Sequence, residues 1–161
     1  MKYKASLDKL ARIITLLAIA FPVVLLFFLD EATIPVVILS GVLVLSYGFA
    51  PQYYLLTPEE LVIKRLFKDV HLKRSEIKTV ELLPEARKLR WTTVRTFGSG
   101  GFFGYFGKFW NRTFGGMTWY LNNFRNVVLV ETYAGKKLLL SPDNPDMIDN
   151  LQNQKPTPLA A

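Results

Sequence analysis

Two uncharged apolar runs near the amino terminus constrain the fold of this 161-residue chain more than any other feature. They cover residues 13–29 and 32–50. At a rise of about 1.5 Å per residue, helices of these lengths reach roughly 25–28 Å, close to the thickness of the hydrocarbon core of a bilayer. A helix that is apolar on every face otherwise needs a large protein around it, and the remaining chain is too short to build one. The sequence therefore predicts two membrane spans.

The turn between the two runs and the charges around them predict the topology. Only Asp30 and Glu31 separate the runs, so we expect a tight antiparallel hairpin. Lys and Arg residues precede the first run and follow the second, whereas the turn has none. Because positive residues mark the cytoplasmic side of a membrane, both termini are predicted to be cytoplasmic. Ser40 and Gly41 are small residues in the second run, and we expect them to allow close helix–helix packing.

From residue 51 onward the sequence changes to short segments in which apolar residues alternate with polar ones, separated by turn residues. The predicted strands are residues 53–56, 61–65, 69–73, 79–83, 89–94, 117–121, 125–133 and 136–140. One helical turn is expected at residues 75–77. Short strands at this spacing are typical of a β-sandwich or a small barrel.

The carboxyl-terminal part predicts a single helix. Residues 141–146 contain the capping residues and prolines that are typical of a helix start. Met147, Ile148 and Leu151 then share one face at helical spacing. We expect this amphipathic helix to close the β domain. Residues 153–161 show no periodicity and are predicted to be disordered.

Four segments carry a resemblance to a known family: YYLLTPEELVIKR, DVHLKRSEIKTVEL, RTFGSGGFFGYFG and NVVLVETYAGKKLLLSPDNPDMIDNL. With them, the chain resembles bacterial membrane proteins that have two N-terminal helices and a pleckstrin-homology-like (PH-like) domain. The resemblance implies a membrane-anchored, mainly β fold: a two-helix transmembrane hairpin in residues 1–51, then a seven-strand PH-like barrel closed by a C-terminal helix in residues 52–152. It also implies a multi-pass protein of the cell (inner) membrane.

The loop between the first two predicted strands departs from lipid-binding eukaryotic PH domains. Those domains bind phosphoinositide headgroups through basic residues in this loop, whereas here it reads Thr57-Pro58-Glu59-Glu60. Two carboxylates repel a phosphate. The resemblance is therefore carried over for the fold and not for phosphoinositide binding.

No group of residues in the sequence predicts catalysis. There is no cysteine, and the single His71 alternates with apolar residues on a predicted strand without a nearby acid. Asp143, Asp146 and Asp149 are spaced by three, but three carboxylates alone make a poor metal site, and acids are common at helix starts. The glycines near residue 100 lack the spacing of a phosphate-binding loop. We expect no enzymatic activity, no cofactor and no metal.

Residues 96–110, TFGSGGFFGYFGKFW, combine glycine and aromatic residues with a three-residue repeat that fits neither a helix nor a regular strand. Two interpretations are equally favoured: a loop that docks the domain onto the bilayer or its own helices, or a segment whose rings pack on the barrel or on another subunit. The predicted contact residues are Phe102, Phe103, Tyr105, Phe106, Lys108, Phe109, Trp110, Arg112 and Arg125.

The chain carries a formal net charge of +7, and the basic excess lies between Lys73 and Arg125. A solvated positive face explains this without a ligand. The anionic cytoplasmic leaflet is the next alternative, and nucleic acid is less favoured. We expect the partners to be the lipid bilayer, including anionic headgroups, and either a second copy of the chain or another membrane protein. The predicted function is a membrane-bound binding or scaffolding module; the alternative is a homo-oligomeric assembly with contacts through residues 96–110.

Overall fold

A computed structural model describes residues 1–28 and 33–153 of the chain. The predicted turn at Asp30 and Glu31, the adjoining ends of both predicted spans, and the predicted disordered tail beyond residue 153 lie outside the described residues. The part described has ten strands, four helices and one short 3-10 turn.

The order of the elements along the chain is as follows. The helices are α1 (Lys9–Phe28), α2 (Thr33–Phe49), α3 (Ala86–Thr92) and α4 (Asp146–Asn153), and the 3-10 turn covers Arg74–Glu76. The strands are β1 (Lys2–Lys4), β2 (Tyr53–Leu56), β3 (Glu60–Lys64), β4 (Val70–Lys73), β5 (Ile77–Leu83), β6 (Val94–Gly101), β7 (Gly104–Asn111), β8 (Gly115–Leu121), β9 (Val127–Thr132) and β10 (Lys137–Leu140).

The strands form two sheets. The first has the order β1-β2-β3-β4, and the second has the order β5-β9-β10-β8-β7-β6. Neighbouring strands are antiparallel except β8 and β10, which are parallel. The structure confirms the predicted order of two N-terminal helices, a mainly β domain and a C-terminal helix. The ten strands exceed both the eight predicted from the sequence pattern and the seven implied by the resemblance, and no ladder of hydrogen bonds joins the two sheets within the described residues.

The six-stranded sheet is covered on both faces, and this explains the unbroken apolar sequences of its central strands. Val128 and Val130 of β9 face a core shared with the four-stranded sheet and with Met147 of α4. Val127 and Leu129 of the same strand face a second core that includes α3 and the first turn of α1. Met147, Ile148 and Leu151 are all buried, as the amphipathic pattern of α4 predicted.

The two N-terminal helices are an insertion between adjacent strands. Lys2–Lys4 were assigned to the helical hairpin by the sequence, whereas they pair antiparallel with β2. Tyr3 is buried in the core between the sheets. Ser6 donates to the carboxylate of Asp143 from both its backbone N–H (3.0 Å) and its hydroxyl (2.5 Å). Both ends of the helical hairpin therefore leave the same edge of the β domain.

The helices meet along a narrow stripe. Ala18, Pro22 and Leu25 of α1, and Val36, Leu39, Leu43 and Ser46 of α2, recur with spacings of three and four residues, a repeat typical of a helix pair. The other covered residues of these helices are Ala11, Ile14, Thr15 and Gly48; of these, Ala11 packs in the second core, Thr15 binds Phe103 and Gly48 binds Phe67. Ser40 and Gly41 lie off this stripe and are exposed, and a Cβ on Gly41 would meet no atom within 4 Å. The expected packing of this pair against α1 is therefore absent.

Residues 89–94 were predicted to be a strand, but most of them belong to α3. Ala86 and Leu89 are three residues apart and both buried against the second core, whereas Trp91 is 84% exposed. One turn of helix is enough to bury this pair, and the polar residues around it face solvent. The segment is a helix because this conformation buries Ala86 and Leu89 together, which outweighs the weak alternating pattern that predicted a strand.

Candidate membrane-proximal contact site

The glycine- and aromatic-rich segment is a regular β-hairpin, which corrects the expectation of an irregular loop. β6 and β7 pair from Val94–Trp110 to Gly101–Gly104, with one irregularity near Arg95. Phe102 and Phe103 form the two-residue turn at its tip.

This hairpin requires glycine at positions 98 and 107. Gly98 and Gly107 are directly opposite each other, with φ values of 109° and 120°. A Cβ on Gly98 would overlap the carbonyl oxygen of Phe106, and a Cβ on Gly107 would overlap that of Phe97. Residues with side chains are excluded from both positions by the backbone conformation and by the space.

The tip of the hairpin contacts both N-terminal helices. The backbone N–H of Phe103 donates to the hydroxyl of Thr15 in α1 at 2.8 Å. The Phe103 ring lies edge-on to Tyr47 of α2, with 5.3 Å between the ring centroids. Phe103 has a φ of 57°, a left-handed conformation that costs a bulky residue about 1–3 kcal/mol. The two helix contacts hold the strained residue in place.

The turn between β3 and β4 makes a second contact, at the end of α2. The N–H of Phe67 donates to the carbonyl of Gly48 at 3.0 Å, and its ring is edge-on to Phe49 at 5.6 Å. Leu66 and Phe67 remain 57% and 50% exposed. Arg65 and Lys68 flank them in the sequence. Two exposed apolar side chains between two cations, at the foot of an apolar helix, are typical of a membrane interface.

Asp69 fixes the conformation of this turn. Its carboxylate forms an ion pair with Lys64 and accepts a hydrogen bond from the N–H of Arg65 at 3.0 Å. The hydrogen bond from Lys64, followed by that from Arg65, lowers the pKa of Asp69 below its ordinary value.

Asn122 links the start of α1 and the end of α2 to the β domain. Its side-chain amide donates to the carbonyls of Ala5, at 2.5 Å, and Pro51, at 2.9 Å. Ala5 lies just before α1 and Pro51 just after α2. The neighbouring Asn123 donates to the carbonyl of Ser6 at 2.9 Å. These amides supply donors to backbone carbonyls that no strand or helix pairs at this junction.

The predicted contact residues divide among three environments. Phe102 and Phe103 lie at the hairpin tip, beside the helices. Tyr105, Phe106 and Phe109 are buried, and the Phe109 ring stacks on the Trp119 ring with 4.0 Å between their centroids. The remaining four are exposed: Lys108 and Trp110 on β7, Arg112 in the turn at the far end of that strand, and Arg125 before β9. The structure therefore does not bring the nine residues into one surface.

Tyr105 belongs to a polar contact inside the second core. Arg90 donates through Nη2 to the Asp8 carboxylate, at 2.7 Å, and to the Tyr105 hydroxyl. Burial, and then the negative charge of Asp8, raises the pKa of Tyr105 to about 12. The hydroxyl therefore stays protonated at neutral pH and donates to Asp8 at 3.3 Å.

Sequence reasoning missed Thr15, Phe67, Asn122 and Asp8. Thr15 carried a usable signal, because it is a single hydroxyl inside the apolar run of α1. Asp8 had one too, since an Asp immediately before an apolar helix is a strong N-cap candidate, and its Oδ1 accepts from the N–H of Ala11 at 2.7 Å. The positions of Phe67 and Asn122 depend on long-range contacts that no local pattern reveals.

The exposed His71 contacts a carboxylate without forming a larger cluster. Its Nδ1 lies 3.1 Å from the Glu60 Oε2 on the neighbouring strand. Within residues 1–28 and 33–153, no group of three His, Cys, Asp or Glu side chains is placed to hold a metal ion. Asp143, one of the three spaced aspartates, instead binds Ser6 of the N-terminal segment.

The apolar surface of the helices extends beyond the β domain. Within the part of the chain that the structure describes, α1 is long and apolar enough to cross a membrane, and α2 is a shorter apolar helix of 17 residues. Phe27 and Phe28, at the far end of α1, are 82% and 81% exposed. One or both of these helices could therefore anchor the protein in a membrane.

Residues 52–155, more than half of the chain, match the family of bacterial PH domains. The chain belongs to the bacterial PH domain family. No curated protein and no solved structure matches it significantly. The matched region of this bacterial PH domain begins directly after α2, so β1 and the helical hairpin lie outside the match although β1 completes the first sheet.

Proposed function

We propose that this protein is a bacterial PH domain anchored in the cell (inner) membrane by the α1–α2 hairpin. The domain lies at the cytoplasmic face and acts as a binding or scaffolding module for the membrane surface and for a protein partner. The observation that carries the proposal is the arrangement at the foot of the helices. Tyr47 and Phe49 at the end of α2 adjoin the exposed Leu66-Phe67 turn and the tip of the β6–β7 hairpin.

The exposed apolar area supports membrane insertion. Most side chains of α1 and α2 off the contact stripe are apolar and exposed, which is far more apolar surface than a monomeric soluble protein leaves in water. The basic residues before α1 and after α2 support cytoplasmic termini through the positive-inside bias. Binding rather than catalysis is favoured because His71 contacts Glu60, the Asp143 carboxylate accepts from Ser6, and the Asp146 carboxylate accepts from the side chain of Asn144.

The absence of cysteine from the sequence makes a clean labelling experiment possible. Single-cysteine variants Phe27→Cys, Leu66→Cys and Tyr133→Cys of the full chain would be spin-labelled and reconstituted in bilayers. Phe27 is the reference for the hydrocarbon core, and Tyr133, 71% exposed in the turn between β9 and β10, is the reference for water. We expect the label at Leu66 to be reached by oxygen in preference to a water-soluble nickel complex, as at Phe27.

Two results would reject the anchored arrangement. One is a Leu66 label that behaves like the Tyr133 label, which would remove the turn from the interface. The other is release of the full chain from membranes by alkaline carbonate, which would remove the anchor itself. Orientation is checked by labelling Tyr133→Cys with an impermeant maleimide, which should react in lysed cells and not in intact ones.

A second candidate function, a homo-oligomeric membrane assembly, is favoured by the outer face of α2. Ser40 and Gly41 are exposed, with open space around the Gly41 Cα. Small residues on a lipid-facing helix surface allow a second helix to approach closely. The mass of the protein in detergent would be a multiple of 18.4 kDa, and Gly41→Leu should return it to that of one chain. A single-chain mass for the unaltered protein would reject this candidate.

A further inference from the structure

A cleft of about 500 Å³ lies beside the first turn of α1, between α1, α3 and the segment that precedes β9. Four cations line it, and one carboxylate. The cations are Lys9, Arg87, Arg90 and Arg125, and the carboxylate is Asp8.

The carboxylate is already neutralised inside the wall of the cleft. Asp8 Oδ2 accepts from Arg90 Nη2 at 2.7 Å, and both side chains are mostly covered. The Arg90 guanidinium also lies over the rings of Tyr105 and Phe124, at 5.0 and 4.7 Å from their centroids. Its Nε is buried without a hydrogen-bond partner. Arg90 is therefore a fixed part of the wall that retains an unused donor.

The other three cations have no counter-charge. Lys9, Arg87 and Arg125 are exposed, and across residues 1–28 and 33–153 their side chains take part in none of the ion pairs. Three unpaired cations around one concave space raise the local positive potential more than the same charges spread over a convex surface. The complementary ligand is a compact anion.

The position of the cleft along α1 indicates the source of that anion. Lys9 precedes Ile13, where the uncharged run begins, by four residues, or about 6 Å of helix. The headgroup region on each side of a bilayer is about 5–8 Å deep outside the hydrocarbon core. The cleft is therefore at phosphate depth if α1 enters the bilayer at Ile13. Trp91, 84% exposed at the edge of the cleft, is the residue type most typical of this layer.

We propose that this cleft binds the phosphate group of an anionic glycerophospholipid. Arg87 and Arg125 contact the phosphate oxygens, since a guanidinium can give two parallel hydrogen bonds to a phosphate, and Lys9 adds a point charge. Trp91 packs at the level of the glycerol. The inference rests on the proposed membrane anchoring and adds the ligand and its site.

The test compares lipid retention by the full chain purified in detergent, measured by native mass spectrometry with phosphatidylglycerol or phosphatidylcholine added. The test variant is Arg87→Gln/Arg125→Gln. The matched control is Arg95→Gln/Arg112→Gln, which removes the same charge from exposed positions outside the cleft. We expect the unaltered chain to retain phosphatidylglycerol preferentially, the test variant to lose about tenfold or more of this retention, and the control to lose little.

Equal losses in the two double variants, or equal retention of the two lipids, would overturn the proposal. A parallel titration with inorganic phosphate separates the sources of the ligand. If phosphate binds, the test variant abolishes that binding and no lipid preference is seen, the cleft is a site for a soluble phosphate and the lipid assignment is wrong. Because this titration needs no bilayer, it remains informative if carbonate extraction disproves the anchoring.

Discussion

Replacing Asn122 by Ala tests how firmly the helices are joined to the β domain. Asn122 is 3% exposed, and its amide donates to the carbonyls of Ala5 and Pro51, which lie on either side of the helical hairpin. Alanine leaves both acceptors without this donor in a space where water is largely excluded. A buried polar group that loses its partner costs about 1–3 kcal/mol, so the two together should reduce the free energy of unfolding by about 2–6 kcal/mol.

Tryptophan fluorescence during denaturant unfolding of the full chain in detergent measures this loss. Trp119 is 2% exposed and stacked on Phe109, so its emission reports opening of the second core. Asn126→Ala is the matched control, because the Asn126 amide also donates to a backbone carbonyl, at 3.0 Å, but at an exposed position. We expect the control to change stability by less than about 0.5 kcal/mol.

A loss in Asn122→Ala no larger than in Asn126→Ala would refute the reasoning. It would mean that water or a shifted backbone satisfies the two carbonyls, and that Asn122 does not hold the junction. Limited proteolysis gives an independent reading: if the junction loosens, cleavage near Pro51 should accelerate before cleavage within the strands.

Three further predictions concern the same junction and its supports. Gly98→Ala should destabilise the chain by about 2 kcal/mol or more in thermal unfolding, through its positive φ and backbone overlap, whereas Gly116→Ala, with open space around it, should be nearly neutral. Asp69, whose pKa is lowered in the folded chain, contributes stability above its unfolded pKa that is lost as pH falls through the folded value. Asp69→Asn should therefore unfold at a lower temperature than the unaltered chain at neutral pH, and the difference should shrink as the pH falls through the folded pKa of Asp69; a difference that does not change with pH would contradict this. Thr15→Val keeps the shape of the side chain but removes the acceptor for the hairpin tip, and should accelerate amide exchange at the Phe103 N–H relative to the N–H groups of β7.

The spacing of apolar residues predicted correctly those elements whose buried residues are all close together in the sequence. β2 was predicted with the ends that the structure shows, and α4 buries the three apolar residues that share its helical face. By contrast, β1 has only three residues, and it is a strand because Tyr3 enters a core built from residues more than fifty positions away. α3 was missed for the same reason, since two buried side chains outweighed its weak alternation.

The candidate site was harder to predict than the fold because its contacts join distant parts of the chain. Phe103 was predicted as a contact residue from composition, but its partners Thr15 and Tyr47 come from two different helices. Glycine at 98 and 107 suggested an irregular loop, whereas the structure uses it to bring two strands together. The repeat of glycines in the sequence shows where the backbone can adopt unusual conformations. It does not show which strand will lie opposite each glycine.

Three separate contacts fix the orientation of the β domain relative to the helices. Asn122 donates to the carbonyls of Ala5 and Pro51, where the chain enters α1 and leaves α2. The tip of the β6–β7 hairpin binds Thr15 on the side of α1, and the β3–β4 turn binds Gly48 near the end of α2. Contacts at three places along the two helices restrict rotation of the β domain relative to them. Because the chain also enters α1 from β1 and leaves α2 into β2, a tilt of either helix must strain the first sheet. In the anchored arrangement that we propose, the basic cleft beside α1 is therefore presented at a constant depth, which a flexible linker would not provide.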